Sequence, residues 1–185
     1  MTIKSEGKSV EQIVEAAQNG HLESFGVLYE RYHSAMTALA YSVLGDRDLA
    51  DDAAQETFAI ACQKLGTLRH RDKFAGWLGS ICRNVARSIL RSKGKSATVN
   101  IQERVENQND EDDRRDVIRK AVWKLRPADK ELIVMRYYDG FSQAQISNVL
   151  DISPQAVNGR LFRAKRKIEK YLRHSGFTGE NYGTA

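Results

Sequence analysis

Apolar residues recur at three- and four-residue intervals along most of the chain, the spacing that gathers one face of an α-helix. Val10, Ile13, Val14 and Ala17 form a short stripe. Phe25, Leu28, Tyr29, Tyr32, Met36, Leu39 and Val43 form a longer one, and Gly45-Asp46 after it reads as a helix stop followed by a new start. Phe74, Trp77, Leu78, Ile81, Val85 and Ile89 continue the pattern. Trp77 lies in that stripe, so core packing is its expected role, although an exposed Trp could stack on a base. No stretch alternates convincingly at period two, so no strands are expected.

Residues 93–113, KGKSATVNIQERVENQNDEDD, interrupt the spacing and offer no face to bury. They read as a flexible linker. Helical spacing resumes with Val117, Ile118, Ala121, Val122 and Leu125. The expected architecture is all-α: two small helical domains, 10–92 and 114–173, joined by the linker 93–113. Each is close to the lower size limit for an independent core.

The second domain carries the signals of a helix-turn-helix. Pro127 suits the first turn of a helix that runs to Tyr138 and closes at Asp139-Gly140. Ser142 and Gln145 form a capping box for a short helix with Ile146, Val149 and Leu150 facing inward. Asp151-Ile152 makes the turn. Ser153 and Pro154 start the last helix, on which Val157, Leu161, Ala164, Ile168 and Leu172 keep an apolar stripe. Its opposite face bears Gln155, Asn158, Arg160, Arg163, Arg166 and Lys167. Such a division suits a recognition helix, with short polar and Arg side chains reaching base edges and further bases meeting phosphate. The same charges also suit a solvated face; the order of capped helix, tight turn and basic capped helix favours DNA.

Composition narrows the class. The 185 residues are 41% hydrophobic and 29% charged with only 2 Pro, which suits a soluble helical protein. No run approaches the ~20 apolar residues of a membrane helix. MTIKSEGKSV lacks the apolar core of a secretory signal, and the tail 174–185 is too short for an added regulatory domain. Cys62 and Cys82 form no CxxC pair or disulfide framework, so a reducing cytoplasm is expected. The net charge of +5 favours a polyanionic partner, and its placement is uneven. Residues 46–56 are acidic, 63–95 basic, 103–113 acidic and 153–173 basic. Acidic stretches alternating with two separate basic ones imply more than one kind of partner.

Catalytic chemistry has little support. His21, His33, His70 and His174 are scattered, without the local spacing of a zinc site. No P-loop, nucleophile elbow or dinucleotide fingerprint occurs. No cofactor, metal or enzymatic activity is expected. A Mg²⁺-dependent nucleic-acid enzyme built on Asp48, Asp51 and Asp52 would lack a matched base or a second acidic cluster. An autonomous helix-turn-helix regulator, with the first domain for dimerisation or ligand binding, is the other alternative.

Three stretches together resemble the extracytoplasmic-function sigma factors of bacterial RNA polymerase. DLADDAAQETF (48–58) is similar to their region 2.2 motif, FAGWLGSICRNVARSILR (74–91) to the regions that melt and read the −10 element, and 125–168 to the region 4 helix-turn-helix that reads the −35 element. The resemblance implies a cytoplasmic bacterial initiation factor, one that an anti-sigma factor can occlude or hold at the membrane. It implies a first domain that docks on the β′ clamp coiled coil of core RNA polymerase through Asp51, Asp52, Gln55, Glu56 and Phe58, with Asp51 where Glu is usual. Region 4 would meet the β flap. Melted −10 DNA would be held by Arg69, Arg71, Lys73, Arg83, Asn84, Arg87 and Arg91, with Asn84 on a base edge and 66–73 forming a flipped-base pocket. The −35 duplex would meet Ser153, Gln155, Asn158, Arg160, Arg163, Arg166 and Lys167. The chain departs from the family at Asp151, where Gly is frequent, and at Gln145-Ile146-Ser147, where E-I-A is frequent. Gly159 inside the recognition helix should cost about 1 kcal/mol relative to Ala.

Overall fold

The computed structural model describes residues 8–96 and 110–175, and among them the secondary structure is helical throughout. The helices are α1 (Val10–Gln18), α2 (Leu22–Leu44), α3 (Arg47–Lys64), α4 (Phe74–Ser96), α5 (Asp110–Trp123), α6 (Pro127–Ile133), α7 (Gln143–Leu150) and α8 (Pro154–His174). The linker expectation needs correction at both ends. The α4 helix continues through Ser96 and α5 begins at Asp110; residues 97–109 lie outside the described residues, as do 1–7 and 176–185.

In the first unit α2, α3 and α4 pack mutually, with α1 laid against α2. Leu28, Met36, Leu39, Phe74 and Leu78 are fully buried. Facing alanines, Ala35 and Ala38 on α2 and Ala50, Ala53, Ala54 and Ala61 on α3, are buried as well. Side chains this short let two helix axes approach closely, and dispersion then replaces bulk. The ends obey local chemistry. Ser9 and Gln12 form a reciprocal capping box on α1, and Gly45 ends α2 at φ 71. Asp46 then caps α3 by accepting from the Leu49 N–H at 3.1 Å.

The second unit packs α5, α6 and α7 against α8 around Leu132, Met135, Ile146, Val157 and Ala164. Pro127 opens α6 as expected, but Val134–Tyr138 winds as a π-helix. The Ser142–Gln145 capping box is present, and Ser153 caps α8 through the Ala156 N–H. Asp151 takes the left-handed conformation at φ 51, ψ 50, so it replaces the frequent Gly without breaking the turn. Ser147 explains its own departure: its hydroxyl donates to the Ile152 carbonyl and braces that turn.

The two units also pack on each other, which the sequence left open. α7 lies on α4, while α6 and the π-helix lie on α2. At the hinge, Trp123 meets Tyr41 edge to face at 5.6 Å, and Tyr138 stands 6.3 Å from the same ring.

Candidate nucleic-acid interface

The acidic face of α3 is built by helical periodicity. Asp48, Asp51, Asp52, Gln55 and Glu56 are exposed, while Ala53, Ala54 and Thr57 turn inward. Asp51 accepts from the Thr37 hydroxyl at 3.1 Å, which ties this face to α2. Phe58 requires a correction: it is 3% exposed and packs against Phe25, Tyr29 and His33, so it seats α3 rather than meeting a partner. Among the described residues no three His, Cys, Asp or Glu side chains are grouped to hold a metal ion.

On α4, Ser80, Asn84, Arg87 and Arg91 follow i, i+4, i+7, i+11 spacing and are all exposed. They form one polar, cationic stripe down the helix. Its upper end opens into a groove lined by Arg69, His70, Lys73, Trp77 and Arg83. Trp77 is half-buried, packed on Phe74 at 5.9 Å yet lining the groove, so it serves core and groove together.

The cations expected on −10 DNA are not equivalent. Arg69, Arg87 and Arg91 are exposed and among the described residues have no ion-pair partner. Arg71 is committed to the fold: its Nη1 lies 2.9 Å from Glu15 and its Nε donates to Gln18 at 2.9 Å. Gln18 in turn donates to the Leu65 and Leu68 carbonyls, fixing the 66–73 segment on α1. Lys73 and Arg83 are paired with carboxylates of the second unit, Asp151 at 2.9 Å and Glu131 at 3.1 Å. The Asp151 hydrogen bond raises the Lys73 pKa. Neither carboxylate was expected to reach the first unit from sequence.

On α8 the buried line Val157, Leu161 and Ala164 leaves Gln155, Asn158, Arg163 and Arg166 exposed, and Ser153 is exposed at its start. Gln143 donates to Asn158, joining α7 to the recognition face. Gly159 has only the Arg163 side chain, at 3.5 Å, near the place a Cβ would occupy, so this face is open at its centre. Arg160 is half-buried on the flank. Lys167 turns to Asp129 at 2.8 Å, a structural tie rather than a free phosphate contact. One residue was missed: Phe162 is 63% exposed between Asn158 and Arg166, with the Arg166 guanidinium 5.9 Å from its ring. Its offset of four from both neighbours was the available signal. An apolar side chain there can meet a thymine methyl group.

Comparison with known proteins gives this arrangement its context. The family model Sigma-70 region 2 matches residues 28–96, and Sigma-70, region 4 matches 115–168. The ECF RNA polymerase sigma factor BldN of Streptomyces coelicolor is 26% identical over 178 residues, covering 91% of this chain and 67% of the relative. The RNA polymerase sigma-H factor of Pseudomonas aeruginosa is 25% identical over 88% of this chain and 93% of its own. The ECF RNA polymerase sigma-E factor of Escherichia coli is 25% identical over 89% and 95%. Among solved structures, CnrH in complex with the cytosolic domain of CnrY superposes with a TM-score of 0.61 at 26% identity, covering 90% of this chain and 99% of that one. With matches to the region 2 and region 4 models and with RNA polymerase sigma factors as its relatives, the chain belongs to the extracytoplasmic-function sigma factors, which direct RNA polymerase to promoters at transcription initiation.

Proposed function

We propose that the chain joins core RNA polymerase through the exposed acidic face of α3, with Asp51, Asp52, Gln55 and Glu56 meeting the β′ clamp coiled coil. An acidic helix face needs a basic partner, and complementary charge governs the rate and register of docking. The exposed face of α8 reads the −35 duplex: Gln155, Asn158 and Phe162 address base edges, and Arg163 and Arg166 address phosphate or guanine. Region 4 meets the β flap. The α4 stripe and the groove at its upper end take the melted −10 strand, with Asn84 on a base edge and Lys73, Arg83, Arg87 and Arg91 on phosphates. Promoter opening is driven by binding energy, and nucleotidyl transfer belongs to the polymerase.

The observation that carries this reading is the separation of chemistries: one acidic face on α3, one cationic stripe on α4 and one mixed polar, cationic and aromatic face on α8. A lone repressor has no use for the first two. An anti-sigma partner fits as well, because CnrH was solved with the cytosolic domain of CnrY and the RpoE factor of Bartonella quintana with the anti-sigma factor NepR. The deciding experiment mixes the purified chain with core polymerase and a promoter library and sequences the transcript starts. New starts that appear only with the chain support the reading. Asp52→Lys with Glu56→Lys should abolish them by weakening polymerase binding, and unchanged polymerase affinity would refute the α3 assignment.

A further inference from the structure

An asparagine offers a base edge two different groups. Its amide carries an oxygen that accepts and an NH2 that donates, and a free Asn uses both on adenine, accepting from N6 and donating to N7. Asn158 stands on the exposed face of α8, but its amide is not free. Gln143, the first residue of α7, donates from its Nε2 to Asn158 Oδ1 at 2.5 Å. Local chemistry holds that donor in place. Ser142 caps α7 and closes the reciprocal box with Gln145, which fixes the backbone on either side of Gln143. Buried Ile146 and Val149 on α7 and Val157 on α8 set the spacing of the two helices. The Gln143 side chain is itself half-buried between them and the surface.

The bond decides which group Asn158 turns outward. Its oxygen is directed to α7, and Nδ2 is left to meet DNA. Turning the Asn158 amide alone by half a turn would set Nδ2 against Gln143 Nε2, donor against donor. A donor suits guanine and thymine, whose O6 and O4 accept in the major groove. The N6 and N4 amino groups of adenine and cytosine oppose it at the same place. We propose that Gln143 is a positioning residue for −35 recognition: it turns the Asn158 amide so that a keto base, guanine or thymine, is read in place of the adenine that an unrestrained Asn favours. Gln143 acts through Asn158 and needs no base contact of its own. The inference rests on the assignment of the α8 face to the −35 duplex.

The test uses the full chain with core RNA polymerase. Promoter fragments randomised across the −35 element are bound and sequenced at one salt concentration, because affinity depends on it. Asn158→Ala first marks the base pair it reads, as the position at which preference flattens. At that pair the parent chain should favour guanine and thymine together on one strand, the signature of a single donor. Gln143→Met removes the bond and keeps the length and helix preference of the side chain. Adenine on that strand should then gain about tenfold relative to guanine, the scale of one good bidentate contact. Gln143→Glu replaces the donor with an acceptor, which draws Nδ2 to itself and turns Oδ1 outward. Preference should invert to adenine and cytosine on that strand, whose amino groups donate. The added charge should also weaken all sequences alike, a loss read separately from preference. Base preference at −10 should not move, and circular dichroism melts should match the parent. If Asn158→Ala flattens one pair while both Gln143 variants keep the parent preference there, or only weaken all sequences alike, the proposal is wrong and the α8 reading stands. A parent preference confined to one orientation of A·T at that pair, the mark of an unrestrained amide, overturns it too. If Asn158→Ala leaves every −35 pair unaltered, Asn158 is no base reader and the proposal falls with that assignment.

Discussion

The Trp123 ring at the end of α5 lies with its Cζ2 atom 3.0 Å from the place a Cβ on Gly45 would occupy. Gly45 is therefore required twice, once for its left-handed φ of 71 and once for the ring that closes over it. A helix stop in the first unit doubles as the seat of the second.

Gly45→Ala should destabilise the chain by about 2 kcal/mol, combining left-handed strain with displacement of an aromatic ring. A urea midpoint measures the loss, and the tryptophan emission should shift as Trp123 gains solvent. Unaltered emission together with unaltered stability would refute the contact.

Phe58 and Glu56 are separated by helical phase alone. Phe58→Ala should cost about 3–5 kcal/mol, the usual penalty for emptying an aromatic core site. Glu56→Lys should leave the melting temperature within a few degrees and lower affinity for core polymerase. Thermal denaturation and a pull-down of polymerase read the two effects separately, and equal loss of stability in both variants would count against the placement.

Asp129 is 2% exposed, accepts from Lys167 Nζ at 2.8 Å and lies 3.4 Å from Arg126 Nε. Burial alone would raise its pKa, but Lys167 and Arg126 outweigh it and hold the carboxyl below its ordinary value. A depressed folded-state pKa means the contribution is complete above the unfolded value and is lost as pH falls through the folded one. Asp129→Asn should cost about 2 kcal/mol at neutral pH. The gap to the parent chain should narrow below about pH 4, the ordinary range of an aspartate. A pH-independent gap in urea titrations would show that the ion pair is not its source.

On α8, Asn158→Ala and Phe162→Ala should change preference at individual −35 positions by about 1–3 kcal/mol per base pair. Arg163→Ala should weaken all duplexes alike and reduce the salt slope by about 1. Lys167→Ala should act mainly on stability through Asp129. Duplex binding across a salt series separates the three, and a uniform response from Phe162→Ala would exclude it from base contact.

Local chemistry determined most of the element boundaries. The Gly45-Asp46 stop and start, the Ser142–Gln145 box and the Ser153-Pro154 start depend on groups within four residues of one another, so one sequence states them. Helical period likewise separated the exposed acids of α3 from its alanines. The motifs of both regions were legible for the same reason, since each lies on one or two adjacent helices. The helix ends inside 93–113 were not, because that stretch has no apolar stripe to mark a face. Phe58 was misassigned because a motif says which residue recurs and not which way it points.

The remaining decisions belong to the tertiary structure. Arg71 and Gln18 are 53 residues apart, Arg83 and Glu131 are 48 apart, and Lys73 and Asp151 are 78 apart. From sequence all three cations were candidates for −10 DNA, since charge is local while pairing is not. Only packing decided that Arg71 braces a loop, that Lys73 and Arg83 face carboxylates, and that Arg87 and Arg91 stay open. Sequence alone determined what each helix could offer; the packing of the helices determined which of those cations are already paired within the protein.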